Sequence, residues 1–180
     1  VCQIGATALM LGAMRERSFV VATAYVKTEP VQVAVFGLAF LGERLSPLGM
    51  LAVAVATAGV MLMSWPRAAA VGAVAPRDGR LRPALLGIGA GALFALSAVC
   101  FRGGILVLGG ESFVPKATLT LVASLAVQTA LLCAWLAWRS PGLLGKVVAS
   151  WRQSVLAGAA GAFASQMWFL AFAIEAAARV

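Results

Sequence analysis

Residues Ser18 to Ser46 read SFVVATAYVKTEPVQVAVFGLAFLGERLS. The apolar body from Phe19 to Gly42 has about the length a helix needs to cross the hydrocarbon core of a bilayer. Its centre carries Lys27, Glu29 and Pro30. Charges at that depth are costly unless they face a protein interior or a water-filled cavity, so an intramembrane Lys and Glu mark a functional site by default. Pro30 brings no backbone N–H and crowds the carbonyl near Val26, leaving backbone polarity that a neighbour, water or a ligand must satisfy. The stretch predicts a bent transmembrane helix with a charged centre.

The rest of the chain agrees with a membrane setting. Hydrophobic residues make up 62% of its 180 residues and charged residues 11%, with a mean hydropathy of +0.98, too apolar for a domain that must present a polar surface. The net charge of +8 comes from 14 basic and 6 acidic residues. Most basic residues fall between apolar runs, where they suit anionic lipid headgroups. None of the basic segments has the aromatic interleaving of a nucleic-acid surface, so no nucleic-acid partner is expected. Cys2, Cys100 and Cys133 each sit inside an apolar run without ligand spacing and read as packing residues. Histidine is absent and the one aspartate, Asp78, lies in a loop. That excludes His-based nucleophilic catalysis and a protein-built zinc or two-metal site; no enzyme activity, metal or cofactor is expected. The chain starts at Val1 with no signal-peptide pattern and reads as cut at the front.

Six apolar runs organise the chain into an all-α, polytopic transmembrane bundle. Val1 to Met14 is too short to cross alone, and the kinked run described above follows it. Pro47 suits the first turn of the third run, Leu48 to Trp65, whose Ala, Gly and Val content favours close helix approach. Residues 66–82, PRAAAVGAVAPRDGRLR, form the clearest linker and separate two halves, 1–65 and 83–180. Pro83 to Leu108 and Phe113 to Trp138 are the next two runs, with a polar break at Gly109-Gly110-Glu111-Ser112 between them. RSPGLLGKVV reads as a loop before the last run, Trp151 to Val180.

Alternating the runs across a bilayer puts Arg15, Arg17, Arg67, Arg77, Arg80, Arg82, Arg139, Lys146 and Arg152 on one side, which the positive-inside rule makes cytoplasmic. Trp65, Trp135, Trp138 and Trp151 lie at that interface as an aromatic belt would. Leu11 to Glu16 set over Leu170 to Glu175 aligns the leucines and the glutamates. The two segments are five crossings apart and hence oppositely directed, the arrangement of an inverted repeat.

Glu29-Pro30, then Gly42-Glu43-Arg44-Leu45-Ser46, Gly49 and Gly59-Val60 resemble the end of an EamA domain in the drug/metabolite transporter superfamily. The resemblance implies two five-helix inverted repeats with a substrate cavity between them. On that template residues 1–65 are the last three helices of the first repeat and 83–180 the first three of the second, with about four helices of the ten absent. Members of the superfamily are commonly drawn with both termini cytoplasmic, which would put residues 66–82 outside, whereas the charge count puts them inside.

Glu29 is the first candidate for a substrate or coupling site: a carboxyl at that depth can exchange a proton or hold a cationic group, or it can pair permanently with a basic side chain and only fix packing. Lys27, two positions away, projects to a different face and should not pair with it directly. Lys27 could attract a substrate carboxylate or a neighbouring acid, or reach towards an interface. Pro30 supplies the bend, and Tyr25, Thr28 and Gln32 offer hydrogen bonds at the same depth, although Thr28 can bond back to its own helix. Gln166 and Trp168 sit centrally in the last run, which the repeat would bring to the cavity, with packing as the plainer role for Trp168. Glu16 and Glu175 read as helix-end groups, Glu43-Arg44 as a turn feature, and Arg102 and Lys116 as groups able to reach headgroups.

These readings lead to an expected transporter fragment that exports small metabolites or drugs by alternating access, with protons as a coupling ion and the prokaryotic cytoplasmic membrane as its place. A helical scaffold or partner subunit with structural charges is the alternative. Its partners would be a small-molecule substrate and the lipid bilayer.

Overall fold

A computed structural model of the chain describes residues 1–16, 19–63, 81–109 and 112–180. Arg17, Ser18, Trp65, residues 66–80 of the linker and the Gly110-Glu111 part of the polar break lie outside the described residues. Among the described residues eight α-helices follow one another: α1 Cys2–Glu16, α2 Phe19–Val26, α3 Glu29–Leu41, α4 Pro47–Met63, α5 Leu81–Val107, α6 Phe113–Arg139, α7 Pro141–Ala149 and α8 Trp151–Ile174. A 3-10 turn, Ala177–Arg179, comes after them. No strand occurs among the described residues.

Six expected runs become eight helices for two local reasons. The kinked run is divided into α2 and α3 at Lys27-Thr28, because Pro30 cannot donate the helical bond to residue 26. RSPGLLGKVV is not a loop: Pro141 opens α7 at its first turn, and Lys146 lies in its last. The last run also stops early, at Ile174. There Glu175 turns extended, and the Ala177 N–H finds an acceptor outside the helix.

The chain divides into two compact units, Val1–Cys100 with Ala176–Arg179, and Phe101–Glu175 with Val180. In the first, α1 runs antiparallel to the first part of α5. Gly5 faces Leu93, Leu9 faces Gly89, Gly12 faces Leu86, and Glu16 pairs with Arg82 at 3.2 Å. Its interior is built largely from small residues, among them Ala6, Ala13, Ala22, Ala90, Ala95 and Ala98, as expected where helices approach closely without a water-driven force. The small residues expected to serve that purpose in the third run do not: Gly59 has nothing within 4 Å, and Thr57 is the buried residue of α4 among the described ones.

α3 ends in an αL cap, with the Gly42 N–H bonding the Leu38 carbonyl at 3.2 Å. Gly42 takes the left-handed conformation at φ 67°, and the Glu43 N–H reaches back to the Gly37 carbonyl at 3.1 Å. Ser46 then caps α4, its hydroxyl accepting the Gly49 N–H at 3.1 Å, and Pro47 is the first helical residue, as expected.

In the second unit α8 packs along α6, with α7 beside both. Phe101 and Phe169 rings stand 4.8 Å apart, and the Arg102 guanidinium donates to the Phe172 carbonyl. Arg102, expected to reach headgroups, is thus spent on α8.

Candidate functional site

The joint between α2 and α3 gathers the polar residues singled out in the sequence. The helix path loosens over two residues: the Lys27 N–H still bonds the Thr23 carbonyl at 3.0 Å, whereas the Thr28 N–H bonds the Tyr25 carbonyl at 3.3 Å in a tighter turn. The next carbonyl along, that of Val26, would take its helical bond from residue 30, and residue 30 is proline.

Side chains repair part of the loss. The Thr28 hydroxyl donates to the Tyr25 carbonyl at 2.8 Å, and the Gln32 amide donates to that hydroxyl at 3.0 Å. The amide nitrogen also stands 3.5 Å from the Ile88 carbonyl of α5. The amide oxygen of Gln32 is buried with no hydrogen-bond partner among the described residues. Inside the joint, then, the Val26 carbonyl lacks its helical donor and the Gln32 oxygen lacks any, and each such group costs free energy until a donor reaches it.

Two glycines of α5 make the joint possible. A Cβ at Gly87 would overlap the Tyr25 Cβ, and one at Gly91 would stand 3.0 Å from the Val26 carbonyl oxygen, 3.4 Å from the Thr28 hydroxyl and 3.6 Å from the Gln32 oxygen. Gly91 therefore faces all three acceptors at once. Sequence reasoning missed both glycines; their four-residue spacing puts them on one helix face, but nothing local says which helix that face meets.

Lys27 is exposed at the joint, and Glu29, the first residue of α3, is half-buried. No ion pair joins Lys27 and Glu29 among the described residues. Pro30 follows in the first turn of α3. Tyr25, Thr28 and Gln32 are brought together with Gly87 and Gly91.

Gln166 and Trp168 belong to the second unit and are described within it. The Gln166 amide donates to the Thr118 hydroxyl at 3.0 Å and so links α8 to α6. Trp168 is exposed, with its ring 5.8 Å from that of Phe172. Lys116 is half-buried near the start of α6. Glu16 is the partner of Arg82. Glu43 accepts the Ala177 N–H. No cluster of metal-ligating side chains occurs among the described residues.

The class follows from these elements. Three helices, α5, α6 and α8, are long and apolar enough to cross a membrane, and α4 is a shorter apolar helix. Large apolar side chains such as Leu119, Val122, Trp138 and Phe163 are exposed on them, as lipid-facing residues are. This is an all-helical integral membrane protein. Residues 1–65 match the model of the EamA-like transporter family, and the resemblance drawn from Glu29-Pro30 and Gly42 to Ser46 is borne out over that stretch. No curated protein and no solved structure matches the chain.

Proposed function

We propose that this chain is part of a transporter that exports small metabolites or drugs by alternating access, with the α2–α3 joint on the substrate path. The observation that carries the proposal is the interrupted helix at Lys27-Thr28, with an acceptor oxygen of Gln32 left unpaired inside it. Irregular backbone at membrane depth is tolerated where it lines a cavity or a binding site, and discontinuous helices are a recurring way of building one. The match of residues 1–65 to a transporter family supports the same reading.

On this reading Glu29 exchanges a proton or receives a cationic group, Lys27 draws in an anionic one, and Tyr25, Gln32 and the backbone around Pro30 orient the substrate. Residues 1–65 are the last three helices of a first repeat, 66–82 the linker and 83–180 the first three helices of a second, in a prokaryotic cytoplasmic membrane.

Export of a labelled amino-acid and drug panel from cells carrying the chain within its extended reading frame tests the reading, against the same frame with Glu29→Gln. Export by the former and loss in the latter at equal membrane insertion is expected. Unchanged export in the variant, or its disappearance from the membrane, would leave Glu29 with a packing role.

A further inference from the structure

Helix α7 keeps two kinds of residue on separate faces. Successive residues of a helix turn by about 100°, which gathers Leu143, Leu144, Val147 and Val148 into one arc and leaves Gly142, Gly145, Lys146 and Ala149 on the other side. Leu143, Val147 and Val148 are exposed, so among the described residues no protein surface covers the apolar face.

The depth of this face follows from its neighbours in the chain. α6 ends at Arg139 and α8 starts at Trp151, with one residue on each side of α7, Ser140 and Ser150. Both flanking helices are long and apolar enough to cross a membrane, and α8 packs along α6. α7, about 14 Å long, cannot cross. It therefore lies where two spans leave the bilayer, between exposed Trp138 and Trp151, whose rings favour the headgroup level. An apolar helix face held there meets the boundary between headgroups and acyl chains.

Charge at this corner is of one sign. Arg139, Lys146 and Arg152 are exposed and form no ion pair among the described residues. The Arg152 guanidinium lies 5.7 Å from the centre of the Trp151 ring, a contact that leaves its charge in place. No Asp or Glu occurs from Ser112 to Ile174, which takes in all of α6, α7 and α8. Glu175 stands past the far end of α8, roughly 35 Å along that helix and several screening lengths away in physiological salt. Three cations with no acid among them, set around an apolar helix at headgroup depth, are complementary to anionic lipid.

We infer that α7 is an interfacial helix that gathers anionic phospholipid, with Leu143, Val147 and Val148 at the acyl boundary and headgroup phosphates on Arg139, Lys146 and Arg152. The inference is independent of whether the chain transports anything.

A fluorophore on Val147→Cys, in the full chain with Cys2→Ser, Cys100→Ser and Cys133→Ser, reads the lipid next to the helix. The labelled chain is reconstituted in vesicles of phosphatidylcholine and phosphatidylglycerol, with bromine quenchers on the acyl chains of one lipid or the other. Each basic residue near an anionic surface is worth about fivefold, so half-quenching should need at least about tenfold less brominated phosphatidylglycerol than brominated phosphatidylcholine. Combining Arg139→Gln, Lys146→Gln and Arg152→Gln should remove the difference. The same label on Gly145→Cys, on the opposite face where a side chain meets nothing within 4 Å, should be reached by aqueous iodide and hardly by either lipid. Equal quenching of the Val147 label by the two lipids overturns the inference, as does a preference that survives loss of the three charges. Quenching by neither lipid also overturns it, since a protein surface, a second copy included, would then cover the face. If the triple variant fails to insert, salt at about 0.5 M takes its place: it should shrink the preference with all charges intact, and a preference unmoved by salt overturns the inference.

Discussion

The Glu43 carboxylate accepts a hydrogen bond from the backbone N–H of Ala177, 3.0 Å away in space and 134 residues away along the chain. The same carboxylate lies against Gly37, where a Cβ would stand 3.5 Å from its Oε2. One acidic side chain in the turn after α3 thus fastens the 3-10 turn at the far end of the sequence to the first unit. A hydrogen bond to a charged group contributes about 1.5–3 kcal/mol, more than a neutral one. Glu43→Ala should therefore lower the thermal unfolding midpoint in detergent well beyond Glu43→Gln, which keeps an acceptor. Equal midpoints for the two variants would show that the contact carries no stability.

The glycines of α5 give a sharper contrast. Gly87→Ala forces a methyl into Tyr25, and Gly91→Ala brings one to 3.0 Å from the Val26 carbonyl oxygen. Overpacking of this kind costs roughly 1–3 kcal/mol. Gly59→Ala and Gly158→Ala meet nothing within 4 Å, and in a helix they should be neutral or stabilising by up to about 1 kcal/mol. Unfolding midpoints of the four variants, measured side by side, check the order.

Pro30→Ala restores the donor that the Val26 carbonyl lacks. It should add about 1 kcal/mol of stability by closing the helix, and it should slow transport by removing the irregular backbone. A variant that is both more stable and fully active would separate the break from the function.

Thr57 is 7% exposed, and its hydroxyl has no hydrogen-bond partner among the described residues. Thr57→Val keeps the shape and removes the orphaned group, so it should raise stability by about 1 kcal/mol, whereas Thr57→Ser keeps the hydroxyl and should not. Comparing the two midpoints tells a wasted polar group from a used one.

What could be read from the sequence, and what could not, divides along physical lines. Pro30 announces a break because the missing N–H is a property of the residue itself, and the Gly42 turn and the Pro47 start are equally local. The division of α2 from α3 at Lys27-Thr28 follows from that proline without knowledge of the partner helix. Helix α7 was hidden because Ser-Pro-Gly reads as a turn, although proline is equally at home in a first helical turn. Gly87 and Gly91 were hidden for another reason: close packing depends on which face meets which, and a run apolar on all sides carries no periodic signal to say so. The Glu43 to Ala177 bond is the extreme case, a contact between a turn and a chain end that no local pattern encodes. Tyr25, Thr28 and Gln32, by contrast, were legible as a group, because polar residues within two helical turns of a proline have few other places to go.

Flux driven by an imposed proton gradient in proteoliposomes, with the full reading frame and its Glu29→Gln variant, is the most direct test of the central claim that the α2–α3 joint is a coupling site. A gradient should accelerate substrate movement by the unmodified protein and leave the variant indifferent while it still exchanges substrate between the two sides. Equal acceleration of both proteins would contradict the claim and place any coupling away from the joint.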